Sequence, residues 1–332
     1  LMGSSGLAKG LEWEESDGHR LAKLTLPEQG RTGFTQLATP AIGLQFTNRV
    51  SRAALARRSN LTNGSGVALG DADGDGLCDI YFCRLEGDNE LYLNQGGWRF
   101  QLAPNANGAA AVGHLTRGAV FADVNGDGSL DLLLTTFRKG TLCLLNDGEG
   151  QFTDATAKAG LVSRTSGTTL ALGDVDRDGD LDLYLTHDAN QANKLYINDG
   201  TGTFDEQAAE WGLNLEAQGM GVDATDLNHD GYMDLFISNN LPNALFLSPG
   251  PQPDSGEILP YTNVTETAGV GNVGMGWGTV FIDHDHDGER DLYVANEFLF
   301  SPISNLMYHN NGDLSFTDVA EGTVLESPYS GY

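Results

Sequence analysis

Basic residues are scarce in this chain: 18 Lys and Arg stand against 46 Asp and Glu in 332 residues, a formal net charge of −28. That balance excludes a basic surface for nucleic acid or anionic lipid, because both bind through phosphates that Lys and Arg neutralise. Cysteine is rarer still, with three copies. Three permit at most one internal disulfide, and no CxxC pair or Cys/His zinc spacing occurs. Cys78 falls where later copies of the same pattern carry Leu130, Leu181 and Met233, and Cys143 where one carries Leu195. Both read as small core hydrophobes. No apolar run approaches the length of a membrane span. A nucleophile elbow, a P-loop, an HExxH helix and a dinucleotide fingerprint are all missing, which argues against the commonest catalytic classes. No secretion leader is visible, and the chain opens on Leu1 rather than Met, so it reads as a processed product or a piece of a longer protein.

What is abundant is Asp, at fixed intervals. Asp71, Asp73, Asp75 and Asp79 occupy positions 1, 3, 5 and 9 of one tight loop, with Gly76 at position 6. Hard oxygen donors at that spacing suit Ca2+, the backbone carbonyl of position 7 (Leu77) adding a further ligand. The same loop returns as Asp123, Asn125, Asp127, Ser129, Asp131; as Asp174, Asp176, Asp178, Asp180, Asp182; as Asp226, Asn228, Asp230, Tyr232, Asp234; and as Asp283, Asp285, Asp287, Glu289, Asp291. In each set the fourth residue is position 7, acting through its carbonyl. Clustered carboxylates repel one another strongly without a cation, so about five Ca2+ ions are expected, with a structural role. First ligands stand 52, 51, 52 and 57 residues apart, which is a repeat architecture. An EF-hand would need Glu at position 12. Here that position is Phe82, Leu134, Leu185, Ile237 and Val294, already inside an apolar strand.

Each unit offers a Gly-, Ala- and Thr-rich first strand running into the loop, at residues 66–70, 118–122, 169–173, 221–225 and 278–282. A second strand leaves it at 80–83, 132–135, 183–186, 235–238 and 292–295, apolar on both faces and therefore covered on both sides. A third follows at 90–93, 141–144, 194–197, 244–247 and 305–308, and a turn such as Asn198–Gly202 leads to a fourth at Phe152 or Phe204. Four antiparallel strands per unit of about fifty residues predict an all-β fold, a β-propeller of four-stranded blades with a calcium loop between strands 1 and 2. Residues 1–60 read as an N-terminal segment with the last strands of a preceding, partial blade. Strand-like alternation marks 20–26, and the phrase at 33–38 anticipates 151–156. The five complete blades are expected at about 61–112, 113–164, 165–216, 217–273 and 274–332. Leu161, Leu213 and Val270 each precede the next first Asp by 13 residues. The same interval from Leu325 puts a sixth Asp just past Tyr332. A further blade is thus expected after the chain's last residue, in a ring of seven, or of six closed by the N-terminal strands.

The phrases Gly66-Val67-Ala68-Leu69-Gly70, Leu91-Tyr92-Leu93-Asn94, Phe152-Thr153-Asp154-Ala155-Thr156 and Asn193-Lys194-Leu195-Tyr196-Ile197-Asn198-Asp199-Gly200, around the DxDGDGxxD loop, resemble calcium-binding FG-GAP/VCBS repeats. These are the blades of integrin α-chain-like propellers and of bacterial proteins that often add an ASPIC/UnbV-type domain. The resemblance covers about residues 60–325. It implies the propeller and its calcium, and a site of action outside the cell or on its surface. It leaves the function open between recognition of a protein or glycan, assembly with copies of itself into an oligomer or fibre, and, by analogy with calcium-bearing polysaccharide lyases, carbohydrate chemistry. Binding or adhesion is the favoured reading and an enzyme the less favoured one.

Other residues stand out singly. His284, His286 and His229, at positions 2, 4 and 4 of their loops, read as solvated spacers pointing away from the ion. His114, His187 and His309 fall on turns with no partner visible in the sequence. Asp223 sits in a first strand where other copies carry Ala68, Val120, Ala171 and Val280, so it lines a watery channel or contributes to a site there. Asn60, Asn63 and Asn263 head N-glycosylation sequons expected on loops.

Overall fold

The computed structural model describes residues 13–16, 19–22, 35–57, 65–161, 167–188, 191–240, 242–252, 255, 257–272, 274–297 and 304–323. The chain divides into two units, Leu1–Ala38 and Thr39–Tyr332. In the first, Trp13–Ser16 pairs with His19–Ala22 as an antiparallel hairpin. The strand expected at 20–26 is thus seen as far as Ala22. Of the segment 33–38, the described residues 35–38 carry no strand.

The second unit holds five four-stranded antiparallel sheets among its described residues, as blades of the expected kind require. Sheet one is Val67–Gly70, Asp79–Phe82, Glu90–Asn94 and Phe100–Leu102, hydrogen-bonded in chain order. Sheet two is Thr116–Ala122, Asp131–Thr136, Thr141–Asn146 and Phe152–Asp154, and sheet three Gly167–Gly173, Asp182–His187, Lys194–Asn198 and Phe204–Glu206. Sheet four is Gly219–Thr225, Asp234–Asn239, Ala244–Leu247 and Thr262–Asn263, and sheet five Met275–Ile282, Asp291–Glu297, Leu306–Asn310 and Phe316–Asp318. The longer fourth spacing is taken up in sheet four, where residues 248–261 separate the last two strands.

The second strands explain the stacking. Their side chains alternate between faces, so Leu132 and Leu134 join a core with Tyr81 and Leu91 of sheet one, while Leu133 joins Leu183, Leu185 and Tyr196 of sheet three. Tyr184 and Leu195 in turn meet Leu235, Ile237 and Phe246, and Phe236 and Leu245 meet Leu292, Val294 and Tyr308. One apolar core therefore fills each of the four junctions between consecutive sheets. Each fully buried large side chain in these junctions contributes about 1.5–3 kcal/mol.

First strands of neighbouring sheets lie side by side, and the glycines there are packing requirements. A Cβ on Gly221 would stand 2.3 Å from the Trp277 carbonyl oxygen and 2.8 Å from Ser238 Oγ. The register shifts between Gly219 and Gly221, where the Gly221 amide donates to Ser238 Oγ (2.9 Å), and that hydroxyl donates onward to Trp277 O in sheet five (2.7 Å). Thr135 plays the same part in sheet two, accepting from Gly118 N and donating to Thr168 O. Each bulge amide is thereby satisfied and each sheet tied to the next.

Asp223 belongs to this seam. Its Oδ2 accepts the Phe281 amide of sheet five (2.7 Å) and its Oδ1 the Ala224 amide (3.0 Å), while burial raises its pKa. It fastens two first strands together.

Before sheet one, Thr39–Ile42 forms a single helical turn ending on Gly43. A Cβ on Gly43 would lie 2.2 Å from the Phe100 carbonyl oxygen, as one on Gly108 would from that of Phe152. The chain thus enters sheet one through the contact by which sheet one's own tail meets sheet two.

Candidate metal centres

All five loops join a first to a second strand, and one backbone course serves them all. Position 6 has positive φ in every copy (Gly76, Gly128, Gly179, Gly231, Gly288), and so has position 4, which is Gly74 and Gly126 in two copies but Arg177, His229 and His286 in the others. The Asp at position 5 accepts the amide of position 7 through Oδ1 in all five: Leu77, Ser129, Asp180, Tyr232 and Glu289. The Asp at position 1 accepts the amide of position 6 through Oδ2: Asp71 from Gly76, Asp123 from Gly128, Asp174 from Gly179, Asp226 from Gly231, Asp283 from Gly288. Carboxylates are thus drawn inward by backbone donors, an ordering available to Asp at these spacings.

Position 9 is the keystone. Asp79, Asp131, Asp182, Asp234 and Asp291 are at most 1% exposed. In each, Oδ2 accepts the position-2 amide (Ala72, Val124, Val175, Leu227, His284) and Oδ1 an amide at the end of the third strand (Asn94, Asn146, Asn198, Ser248, Asn310). Burial pushes Asp131 and Asp234 up to about 6 and Asp182 to about 7, and raises Asp79. Asp291 differs: burial acts to raise it, but hydrogen bonds from His284 outweigh that and leave it lowered.

The loops do not gather their oxygens alike. Asp71, Asp73 and Asp79 bring ligand atoms within 4.8 Å of one another, as do Asp174, Asp176 and Asp182. In loop five the trio is Asp283, Asp285 and Asp287, and Asp291 instead joins His284, Asp285 and His309. In loops two and four position 3 is an amide: Asn125 Nδ2 donates to Asp127 Oδ2 (2.9 Å) and Asn228 Nδ2 to Asp230 Oδ2 (3.0 Å). Asp73 Oδ1 and Asp174 Oδ1 are buried without a hydrogen-bond partner. Orphaned carboxylate oxygens aimed into an oxygen cluster fit a hard divalent cation. Burial, together with the charges of Asp75 and Asp71, raises the pKa of Asp73.

Adjacent loops touch. The Arg177 guanidinium lies 4.7 Å over the Tyr232 ring, and His229 Nε2 is 3.2 Å from Glu289 Oε2. Loops three to five therefore line one edge of the stacked sheets.

Two groups of residues escaped the sequence reading. The first is the Asn that ends the third strand. Asn146 Nδ2 donates to Leu130 O within its own loop and to Ala72 O in the loop of sheet one (2.8 Å), and Asn198 does the same toward Leu181 O and Val124 O. Its signal was the Asn recurring after four of the five third strands, at 94, 146, 198 and 310. The second is the pair His284 and His309. His284 faces Asp291 rather than pointing away, and His309 lies in the strand Leu306–Asn310 rather than on a turn. His187 is likewise a buried strand residue. Cys143 is buried as expected, but Cys78 is exposed. Its counterparts in later sheets cover the preceding sheet, Leu130 packing over Gly70 and Met233 over Gly173. Asn60 and Asn63 lie outside the described residues. Asn263 is exposed, but on the strand Thr262–Asn263 rather than a loop, and its Oδ1 accepts from Thr265 N and Oγ1.

A family model described as FG-GAP-like repeat matches residues 71–134, 123–185 and 174–237. Cartilage acidic protein 1 of Xenopus tropicalis is 25% identical over 278 residues, 76% of this chain and 42% of that protein. The Homo sapiens protein of the same name is 28% identical over 198 residues, 56% of this chain and 30% of that protein. The chain thus spans less than half the length of these relatives. Among solved structures, an Agrocybe aegerita lectin described as recognising non-reducing terminal N-acetylglucosamine superposes with a TM-score of 0.45 and 21% identity, over 75% of this chain and 63% of the lectin.

Proposed function

The chain belongs to the FG-GAP-like repeat family, and from that membership we propose that it is a calcium-stabilised β-propeller that acts outside the cell as a binding module for a protein or a glycan. The observation that carries the calcium is the convergence of Asp71, Asp73 and Asp79, and of Asp174, Asp176 and Asp182, with one buried oxygen in each trio left without a partner. Each loop would hold one ion through positions 1, 3, 5 and 9 and the position-7 carbonyl. Bound there, the ion supplies charge compensation; the chain's own residues set the loop and fasten it to the sheets.

The five sheets are then five blades of a larger ring, of seven or of six. Support comes from the two ends of the stack, where first strands expose apolar side chains: Val67 and Leu69 on sheet one (52% and 63% exposed), Val280 and Ile282 on sheet five (45% and 46%). Such stripes are covered by a neighbouring blade at every other junction.

The ligand surface in this reading is the edge opposite the calcium loops, where second strands run into third strands. Those connections vary in length, from four residues between Thr136 and Thr141 to eight between Glu297 and Leu306, and variable loops on a rigid scaffold are where binding specificity is built. In a chain so acidic, Arg117 and Arg138 flanking the Phe137 ring at 5.0 and 5.1 Å, with Lys139 beside them, supply a cationic and aromatic contact point there. The surface Asn263 remains a glycan acceptor in the same reading.

Calorimetry with CaCl2 and binding to immobilised glycans and matrix proteins, each with and without chelator, tests both halves. Calcium uptake and a ligand whose binding is lost in Arg138→Glu/Lys139→Glu are expected. A chain that takes up no calcium refutes the first half. A chain that ignores every probe, or binds equally well as the double variant, refutes the second.

A further inference from the structure

Sheet five departs from the other four at two positions together. Position 2 of the loop is Ala72, Val124, Val175 and Leu227 in sheets one to four, and His284 in sheet five. The residue before the last amide partner of the third strand is Leu93, Leu145, Ile197 and Leu247, and then His309. An apolar pair has become a pair of imidazoles, 25 residues apart in sequence, whose rings stand 6.0 Å apart.

Both rings turn toward carboxylates. His284 Nδ1 is 2.5 Å from Asp291 Oδ2, and His309 Nδ1 is 3.2 Å from Asp291 Oδ1 and 3.4 Å from Asp285 Oδ2. The ligand atoms of all four residues lie within 4.8 Å of one another. His309 Nδ1 is buried and makes no hydrogen bond. Asp291 is fully buried and held by the His284 and Asn310 amides, both at 2.9 Å, so its orientation is fixed from behind as metal-ligating carboxylates require.

We propose that His284, Asp285, Asp291 and His309 form a site for a divalent transition ion of the zinc class, separate in chemistry from the calcium loops. Two imidazole nitrogens and two carboxylate oxygens make a four-ligand set. Nitrogen donors suit zinc, cobalt or nickel, whereas calcium takes oxygen. Ligands about 2.0–2.1 Å from a tetrahedral zinc lie about 3.3 Å from one another; the two His309 separations of 3.2 and 3.4 Å match that edge, while His284 Nδ1 and Asp291 Oδ2, at 2.5 Å, form a hydrogen bond that the ion would replace. Asp285 also belongs to the trio with Asp283 and Asp287, so it stands between an all-oxygen cluster and a mixed one. Asp285 and Asp291 are also positions 3 and 9 of loop five, so calcium competes for this site in that loop alone and loops one to four are untouched by it.

The test is titration of the full chain with Co2+, read by visible absorption, in calcium-free and in millimolar-calcium buffer. One Co2+ per chain with the strong absorption of a tetrahedral ion is expected, weakened but not abolished by millimolar calcium, and displaced by Zn2+. His284→Val and His309→Leu install residues that other sheets carry at these positions and so preserve packing; each is expected to weaken binding by about tenfold or more. His286→Asn, at position 4, leaves it unchanged. No Co2+ uptake, uptake abolished by calcium, uptake unchanged in the two variants, or equal loss in His286→Asn overturns the proposal.

Discussion

Asn198 of sheet three donates its side-chain amide to the backbone carbonyl of Val124, 2.9 Å away in the loop of sheet two and 74 residues earlier. Asn146 stands in the same relation to Ala72. One side chain thus closes its own loop and locks the loop before it, so the candidate metal centres and the stacking of the sheets share a hydrogen-bond network. Replacing Asn146 or Asn198 by Leu would strand two carbonyls each, at about 1–3 kcal/mol for each unmet buried group. Among the described residues the Asn94 side-chain NH2 donates only to Cys78 O, at an exposed position. Denaturant unfolding is therefore expected to rank Asn146→Leu and Asn198→Leu well above Asn94→Leu. Equal losses in all three would show that the bridge between sheets contributes nothing.

Calcium removal should destabilise the whole stack. Two unit charges 4 Å apart repel by about 4 kcal/mol in a surface-like dielectric, and each loop holds three or four carboxylates at positions 1, 3, 5 and 9. A free ion a hundredfold above its Kd contributes about 2.7 kcal/mol per site. Chelation is expected to lower the melting temperature by about 10 °C or more, and Asp123→Ala or Asp174→Ala to reproduce part of that fall. A melting curve unchanged in chelator, with metal loss verified by elemental analysis, would sink the structural role.

Sheet four carries Ser248 where the other third strands end in Asn, and its loop is closed differently. Tyr261 Oη donates to Met233 O at 2.9 Å, the position-8 carbonyl that Asn146 and Asn198 reach in their own sheets. Tyr261→Phe is expected to cost about 1 kcal/mol. Ser248→Asn in that background should recover part of the loss, and a double-mutant cycle on chemical unfolding measures it. No recovery would mean that the two residues do not serve one carbonyl.

His187 makes the fold sensitive to acid. Burial, aided by the nearby Lys194 charge, depresses its pKa from 6.5 to about 4. The unfolded chain then binds the proton more tightly than the folded one, so stability is fully present above about pH 6.5 and is lost as pH falls toward 4, by about 3 kcal/mol. His187→Asn places there the residue that sheets four and five carry as Asn239 and Asn296. At fixed calcium, the stability gap between wild type and this variant is expected to shift in the variant's favour as pH drops from 7 to 4. A pH-independent gap would contradict the linkage.

The loops and strands were legible because both are written in local spacing. Nine residues contain every candidate ligand of one loop, and a period of two decides which side chains of a second strand face which neighbour, so Leu133 and Leu134 were bound for different cores before any sheet was placed. Asp at alternate positions with Gly at position 6 fixes a course that needs no distant partner. Tertiary structure alone decided the relations that cross a register or a junction. His284 meets His309 only because Leu292 pairs with Tyr308 across the sheet, and Asp223 is seen to fasten two first strands only once Phe281 lies beside it. Cys78 is exposed while Leu130 packs over Gly70 for the same reason: what cover position 8 has comes from the preceding sheet, although Met233 over Gly173 stays 37% exposed, and a residue's own sequence context carries no record of which surface will be laid against it.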